Sequence, residues 1–190
     1  MYVTARVKIR GVRPFLYHIA RPEAISLERK VKTGKAGNDP EEWKRTFNAT
    51  LDGQLYTTLS QIFGTIRDGA RFTPKGRGSA QNDVISVLQI ETDVALVNRW
   101  MPQELTEDPA QPVYLDIRMV RNPQTKGLNV RYRLGMSKGW ETEFVVGWDN
   151  TVVGDDTMKS VLTDAGQKCG LGDGRRIGMG RFEVVSFETT

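Results

Sequence analysis

Few side chains in this chain could act as a nucleophile or a general base, because its 190 residues include one histidine and one cysteine. His18 is a candidate general base for a nuclease, although the sequence identifies no second titrating group as its partner. Asp155 and Asp156 are adjacent carboxylates that could hold Mg²⁺ together with nucleotide phosphates. Adjacent acids before a helical pattern are more typical of a helix cap and first turn. We therefore assign no catalytic residue and no metal ligand, and a His- or metal-dependent nuclease stays an alternative.

The composition excludes several classes of protein. A single cysteine, Cys169, cannot form an intrachain disulfide, and one cysteine with one histidine cannot build the usual zinc sites. The hydrophobic fraction of 38% and the charged fraction of 26% are those of an ordinary soluble protein. No apolar run is long enough to span a membrane, and the first residues lack a signal-peptide core. We expect a cytoplasmic protein with no cofactor and no membrane partner.

The segment from Gly170 to Arg181 is the most distinctive stretch of the sequence. Its spacing fits neither the dinucleotide-binding fingerprint nor the Walker loop. Backbone without Cβ atoms lets another chain or a phosphate backbone approach closely, and three arginines add positive charge. The alternative is a tight structural connection that crosses over the sheet. The glycines of this loop are Gly170, Gly172, Gly174, Gly178 and Gly180.

The net charge of +4 is small, but the charges are segregated along the chain. Six basic residues and no acid lie between 118 and 138, whereas six acids and one arginine lie between 91 and 116. If the predicted strands 3–10 and 128–135 are sheet neighbours, their basic faces form a positive platform for phosphates. A solvated outer sheet face is the alternative. The candidate nucleic-acid-binding cations are Arg6, Lys8, Arg10, Lys30, Lys32, Lys35, Lys75, Arg77, Arg118, Arg121, Lys126, Arg131, Arg133, Arg175, Arg176 and Arg181.

Binding of a single strand also needs aromatic faces on which bases can stack. Tyr17, Trp43, Trp100 and Trp140 are candidates for that role. Large aromatic side chains are more often buried, so we expect each of the four in the core.

These residues must be positioned by a mixed α+β fold. Hydrophobic periodicity predicts helices from Thr57 or Thr58 to about Asp68 and from Asp155 or Asp156 to Gly166 or Gly170. Without its insertions, the chain reduces to the βαββαβ order of a ferredoxin-like fold. We expect one such domain over 1–190, with an exposed basic loop at 73–83 and a strand at 84–91. Its core segments are about 3–18, 57–70, 84–91, 112–149 and 156–187, and its insertions about 20–54, 73–83 and 101–111.

The final helix and the segment CGLGDGRRIGMGRFEVVSF resemble the RAMP superfamily, the repeat-associated proteins that form backbone subunits of CRISPR effector complexes. The opening VKIRGVRPFLYH is similar in style to the first strand of that class. The resemblance covers about residues 156–187 and 3–18 and is closest to stand-alone RAMP-like proteins of phages and bacteria. It implies a RAMP/RRM-like ferredoxin core with the glycine loop between the second helix and the last strand.

The same resemblance implies binding of single-stranded DNA or RNA, often as a filament in which each subunit grips a few nucleotides. We therefore predict a non-catalytic single-stranded nucleic-acid-binding protein of a phage or bacterium. We expect it to assemble as a homo-oligomer or filament along the strand, in the host cytosol if a phage encodes it. A protein-interaction or anti-defence factor that mimics a RAMP subunit stays the alternative.

Overall fold

The computed structural model describes residues 1–19, 39–121 and 126–189, and it shows an α+β protein with antiparallel sheets, as expected. The strands are β1 (Tyr2–Gly11), β2 (Phe15–Leu16), β3 (Gln54–Thr58), β4 (Pro74–Lys75), β5 (Gly78–Ser79), β6 (Gln89–Ile90), β7 (Val94–Trp100), β8 (Val113–Arg121), β9 (Leu128–Met136), β10 (Glu141–Asp149) and β11 (Phe182–Thr189). The α-helices are α1 (Leu59–Gly69), α2 (Gln81–Val87) and α3 (Asp155–Asp164). A π-helical turn (Ala165–Cys169) extends α3, and single 3₁₀ turns lie at Glu42–Arg45 and Arg175–Ile177.

The main sheet has the strand order β11-β1-β10-β7-β3, and β6 also pairs with β10. Every neighbouring pair in it is antiparallel. The predicted alternation of β1 is confirmed, since Ala5, Val7 and Ile9 are buried on its core face. Strands β10 and β11 pair with the two edges of β1, so the N-terminal strand lies between two strands from the C-terminal part of the chain.

Helices α1 and α3 contribute apolar side chains to the same core. The Gln61 side chain accepts a hydrogen bond from the backbone N–H of Thr58, so α1 begins where the sequence predicted. Gly69 allows α1 to approach the π-helical turn, since a Cβ there would lie 2.5 Å from Ala165. Helix α3 begins after Gly154, so Asp155 and Asp156 occupy its first turn rather than its cap. None of the helices in the described ranges is long and apolar enough to cross a membrane.

A second sheet, of order β2-β9-β8, holds the long hairpin of β8 and β9. The condition for a joint positive platform, that strands 3–10 and 128–135 are sheet neighbours, is therefore not met. The chain turns after Gly11, and β2 then pairs with β9 through Phe15 and Met136. The basic residues of β1 and β9 consequently lie in different sheets.

The stretch between 73 and 91 also differs from its prediction. The expected loop at 73–83 is a small hairpin of β4 and β5 followed by the start of α2, and the expected strand at 84–91 is the second half of α2 followed by the short strand β6. Val84 and Leu88 are four residues apart and both buried, so the apolar run fits a helical face. Only β6 of this stretch joins the main sheet, where β7 is the longer strand beside β10, and the β8–β9 hairpin within the proposed core segment 112–149 belongs to the second sheet.

Candidate nucleic-acid interface

The glycine loop between the π-helical turn and β11 is folded tightly against its own chain. All five of its glycines have positive φ angles. A Cβ on Gly172 would lie 2.7 Å from the carbonyl oxygen of Leu16, and one on Gly180 would lie 1.7 Å from that of Leu171. Gly178 differs, because a Cβ there would meet no described atom within 4 Å. The close approach that most of these glycines allow is thus an approach within the chain.

Hydrogen bonds fix the loop to the segment around β2. The backbone N–H of Asp173 donates to the carbonyl of Leu16 at 2.8 Å, and that of Gly180 donates to the carbonyl of Pro14 at 2.6 Å. The Arg133 guanidinium, almost fully buried on β9, pairs with the Asp173 carboxylate at 2.8 Å. These contacts hold the loop rigidly against both β2 and β9.

The loop presents Arg175 and Arg176 between two surface cavities, and both residues line both cavities. The helix cavity, of about 370 Å³, lies between the end of α1, the π-helical turn and the loop. Its lining residues are Asp68, Arg71, Phe72, Lys168, Cys169, Arg175, Arg176 and Arg181. The hairpin cavity, of about 420 Å³, lies between β9 and the loop. Its lining residues are His18, Val120, Arg131, Arg133, Asp173, Gly174, Arg175, Arg176 and Ile177.

Acids compensate much of the positive charge in the hairpin cavity. Arg131 pairs with Glu42 of the 3₁₀ turn, and Arg133 pairs with Asp173. Arg176 is exposed and has no ion-pair partner among the described residues, so it supplies the available charge on this side.

The helix cavity is less compensated. Arg175 pairs with Asp68 at 3.0 Å, and Lys168 pairs with Asp164 at 2.7 Å. Within the described ranges, no acid pairs with the three remaining cations, which are Arg71, Arg176 and Arg181. The cavity therefore concentrates positive charge that the fold itself leaves unneutralised.

The charges around the helix cavity act on the pKa of the Cys169 thiol, which lies in the cavity wall. Burial raises the pKa of Cys169, and the nearby Asp68 carboxylate raises it further. The positive charges of Arg175, Arg181 and Arg71 act in the opposite direction, so all three guanidinium groups lie close enough to influence one atom.

The basic face of β1 has a different environment. Arg6 pairs with Glu143 at 2.9 Å, and Lys8 and Arg10 both pair with Glu141, at 2.9 and 2.7 Å. Hydrogen bonds from Lys8 and Arg10 lower the pKa of Glu141, which keeps this carboxylate charged. The expected positive stripe is thus a row of surface ion pairs.

The other predicted cations are dispersed over the surface. Lys75 pairs with Asp83 at 2.6 Å and Arg118 with Asp116 at 2.6 Å, whereas Arg77 lies exposed between β4 and β5. Arg121 ends β8, and Lys126 precedes β9 with a positive φ angle of 58°. Lys30, Lys32 and Lys35 fall in 20–38, outside the described residues, as does most of the predicted hairpin loop at 122–127.

The aromatic side chains divide into buried and accessible groups. Tyr17 and Trp140 are fully buried as expected, and Trp43 is partly buried and stacks on Phe47. Trp100 is 51% exposed at the end of β7, so the expectation of burial is wrong for it.

The alternative catalytic residues gain no partner in the structure. His18 is exposed at the hairpin cavity and makes no hydrogen bond or ion pair within the described ranges. Asp155 and Asp156 are exposed, and the described part of the chain has no cluster of three or more side chains that could hold a metal ion.

One solved structure has a fold similar to that of this chain. The chain matches a chain from a cryo-EM structure of the Type III-B Cmr-beta complex bound to cognate target RNA. The TM-score is 0.50 at 13% identity, and the match covers 99% of this chain and 60% of that one. The protein therefore spans about 60% of the length of the chain it matches, and at this identity the likeness concerns the fold. No family model and no curated protein matches the sequence.

Three residues at this interface were not identified from the sequence. Arg71 lines the helix cavity from the turn after α1 and Lys168 from the π-helical turn, and each is a single cation without a basic neighbour pattern. Phe72 is 46% exposed beside them, with the Lys168 ammonium 5.6 Å from its ring centroid. The one signal that the sequence contained was an aromatic residue, Phe72, next to a cation, Arg71, just after a predicted helix.

Proposed function

We propose that this protein binds single-stranded nucleic acid, without cleaving it, along the surface formed by the glycine loop and the two cavities beside it. The observation that carries the proposal is the position of Arg175 and Arg176, which line both cavities on a loop held rigidly by backbone hydrogen bonds. Contacts to phosphates supply most of the affinity for a single strand, and exposed arginines make such contacts. Phe72 and Ile177 offer accessible apolar surface along the same track.

We also propose that the domain is a RAMP-like variant of the ferredoxin-like fold. Strands β1 and β7 flank β10 and are connected through α1, and β10 and β11 flank β1 and are connected through α3. Two interleaved units of this kind make the split βαβ arrangement. The glycine loop between α3 and β11, together with the fold likeness to a chain of an RNA-bound Cmr-beta complex, supports the assignment.

A salt titration tests the binding. If three unpaired arginines contact phosphates, affinity for a labelled single strand falls with a log–log salt slope of about −2, or roughly twentyfold for a fourfold rise in salt. Fluorescence anisotropy with RNA and DNA strands of one sequence measures this slope. Absence of binding at about micromolar protein in low salt would overturn the proposal.

A matched pair of variants locates the surface. Arg176→Ala removes an exposed cation shared by both cavities, and we expect the salt slope to weaken by about 0.7. Lys159→Ala removes an exposed cation of α3 that lines neither cavity, and we expect no change. Equal effects of the two changes would assign the binding to net charge rather than to this surface.

One observation favours a second candidate, a role in protein–protein contact or self-assembly. Val94, Leu96 and Trp100 project from β7 on the open side of the main sheet, and each is about half exposed. Exposed apolar side chains on one strand face, interrupted here by Asn98, are typical of an interaction surface. Light scattering without nucleic acid tests it: a monomer at all concentrations would contradict assembly through this strip.

A further inference from the structure

One arginine of the helix cavity has a hydrogen-bond donor that no described group of the chain satisfies. One terminal nitrogen of Arg181, Nη1, is buried and has no hydrogen-bond partner in the described part of the chain. A buried donor on a charged group is costly when it is unpartnered, and such groups in folded proteins normally meet an acceptor. Arg181 also lines the helix cavity, so the guanidinium that carries this unpartnered donor borders the space in which an anion could bind.

The uncompensated positive charges favour a doubly charged anion over a singly charged one. Arg71, Arg176 and Arg181 line the helix cavity without an ion-pair partner among the described residues. A phosphodiester inside a strand carries one negative charge, whereas a phosphomonoester carries about 1.5 to 2 at neutral pH. Guanidinium groups match phosphate oxygens in pairs of parallel hydrogen bonds. Three such groups around one cavity suit the monoester better than the diester.

The cavity also has the dimensions and an apolar edge for one nucleoside. Its volume of about 370 Å³ lies in the range of small-ligand sites. The exposed ring of Phe72 borders it, so a base attached to the bound phosphate can stack there.

We infer that the helix cavity is a phosphomonoester site that holds the phosphorylated end of a bound strand, with Arg71, Arg176 and Arg181 on the phosphate and Phe72 under the terminal base. The inference rests on the proposed function, since it places one end of the strand within the surface already described. A free mononucleotide presents the same chemistry and is the other source that the experiment must distinguish.

Three oligonucleotides of one sequence test the inference, carrying a 5′ phosphate, a 3′ phosphate or no terminal phosphate. We expect one of the phosphorylated strands to bind at least about tenfold more tightly than the unphosphorylated strand, as one additional charge-assisted hydrogen bond provides. A nucleoside monophosphate in a parallel calorimetric titration should bind more weakly than that strand, because it lacks the neighbouring phosphate contacts.

Variants assign the preference to the cavity. Arg71→Ala removes an exposed cation and should reduce the preference for the phosphorylated end to about twofold or less. Arg181→Lys keeps the charge but removes the paired donors, and should reduce the preference in the same direction while retaining the fold. Lys159→Ala, outside the cavity, should leave the preference unchanged.

The outcomes separate this inference from the proposed function. Equal affinities for all three strands, with salt-dependent binding retained, would overturn the terminal-phosphate site and leave strand binding in place. Binding of the mononucleotide with no binding of any strand would overturn the proposed function and with it the assignment to a strand end. A preference that Arg71→Ala and Lys159→Ala reduce equally would overturn the location in the helix cavity.

Discussion

Two alanine substitutions in the glycine loop measure how far the loop is held by its own chain. Gly178→Ala and Gly180→Ala both place a Cβ on a residue with positive φ, 81° and 70°, which costs about 1–2 kcal/mol for an L-residue. At Gly178 nothing else opposes the methyl group. At Gly180 the Cβ would lie 1.7 Å from the Leu171 carbonyl oxygen, a backbone atom that cannot rotate away.

Relief of that contact must break local hydrogen bonds. The Leu171 N–H donates to the Gly180 carbonyl at 2.9 Å, and the Gly180 N–H donates to the Pro14 carbonyl at 2.6 Å. Each broken bond that leaves a buried group unsatisfied costs about 1–3 kcal/mol. We therefore expect Gly180→Ala to lower the free energy of unfolding by at least about 3 kcal/mol, against about 1–2 kcal/mol for Gly178→Ala.

Urea unfolding followed by circular dichroism measures both changes, and thermal unfolding gives a second reading. The smaller change corresponds to a melting temperature lower by about 2–8 °C, and the larger to one lower by at least about 6 °C. Gly76→Ala in the β4–β5 turn is the matched control, because Gly76 also has a positive φ and no atom within 4 Å of its Cβ position. If Gly180→Ala is no more destabilising than Gly178→Ala, the account of the loop as self-packed is refuted.

Three further outcomes follow from the charges and burial of single residues. Burial raises the pKa of Cys169, so alkylation of this thiol should reach half its maximal rate at a higher pH than alkylation of a free cysteine. A rate–pH profile measures this midpoint, and a midpoint at or below that of a free cysteine would contradict the prediction. Asp173→Ala should lower the free energy of unfolding, measured by urea titration, by about 3 kcal/mol, because the substitution leaves the buried Arg133 guanidinium unpaired. This holds although the Asp173 side chain is 41% exposed. A change below about 1 kcal/mol would argue against the buried pair. Replacing Lys8 and Arg10 by alanine should change the affinity for a single-stranded oligonucleotide by less than about twofold, because a carboxylate of β10 already pairs with both cations. Fluorescence anisotropy measures this affinity, and a loss of about tenfold would place the bound oligonucleotide on the sheet.

Local signals in the sequence were sufficient for the elements that have a strict pattern. The alternation of apolar and polar residues from Val3 to Arg10 predicts β1, and the Thr58–Gln61 capping pair with helical spacing predicts α1. Both patterns arise because one face of each element is buried and the other is not.

The patterns failed where both faces of an element are apolar. Strand β7 has Ala95 and Val97 buried on one face and Val94, Leu96 and Trp100 half exposed on the other, so its sequence shows no clean alternation. Helix α2 is seven residues long, and its apolar run fits a strand equally well. The choice between them is made by packing against the rest of the core, which the local sequence does not contain.

The candidate site required contacts between distant segments. Arg71 precedes Arg176 by about a hundred residues, and the acids that neutralise Arg6, Lys8 and Arg10 lie more than 130 residues further along the chain. A cation contributes to binding when no acid faces it, and that depends on strand register. The register of β1 and β10 places Arg10 opposite Glu141 and Lys8 opposite Glu143, which no charge count along the sequence reveals.

The same register determines which surface can accept a strand. A sheet that binds RNA in the manner of an RRM has aromatic side chains on its open face, on which bases stack. Here the open face of β1 and β10 has ion pairs at those positions, such as Arg6 with Glu143 and Arg10 with Glu141. A strand docked there would have to displace carboxylates to reach the cations, and the exposed ring it would meet on these strands is that of Tyr2, whose hydroxyl donates to Glu91. At the helix cavity Arg71, Arg176 and Arg181 have no ion-pair partner among the described residues and Phe72 is exposed, so a phosphate can contact these three cations without breaking an existing ion pair.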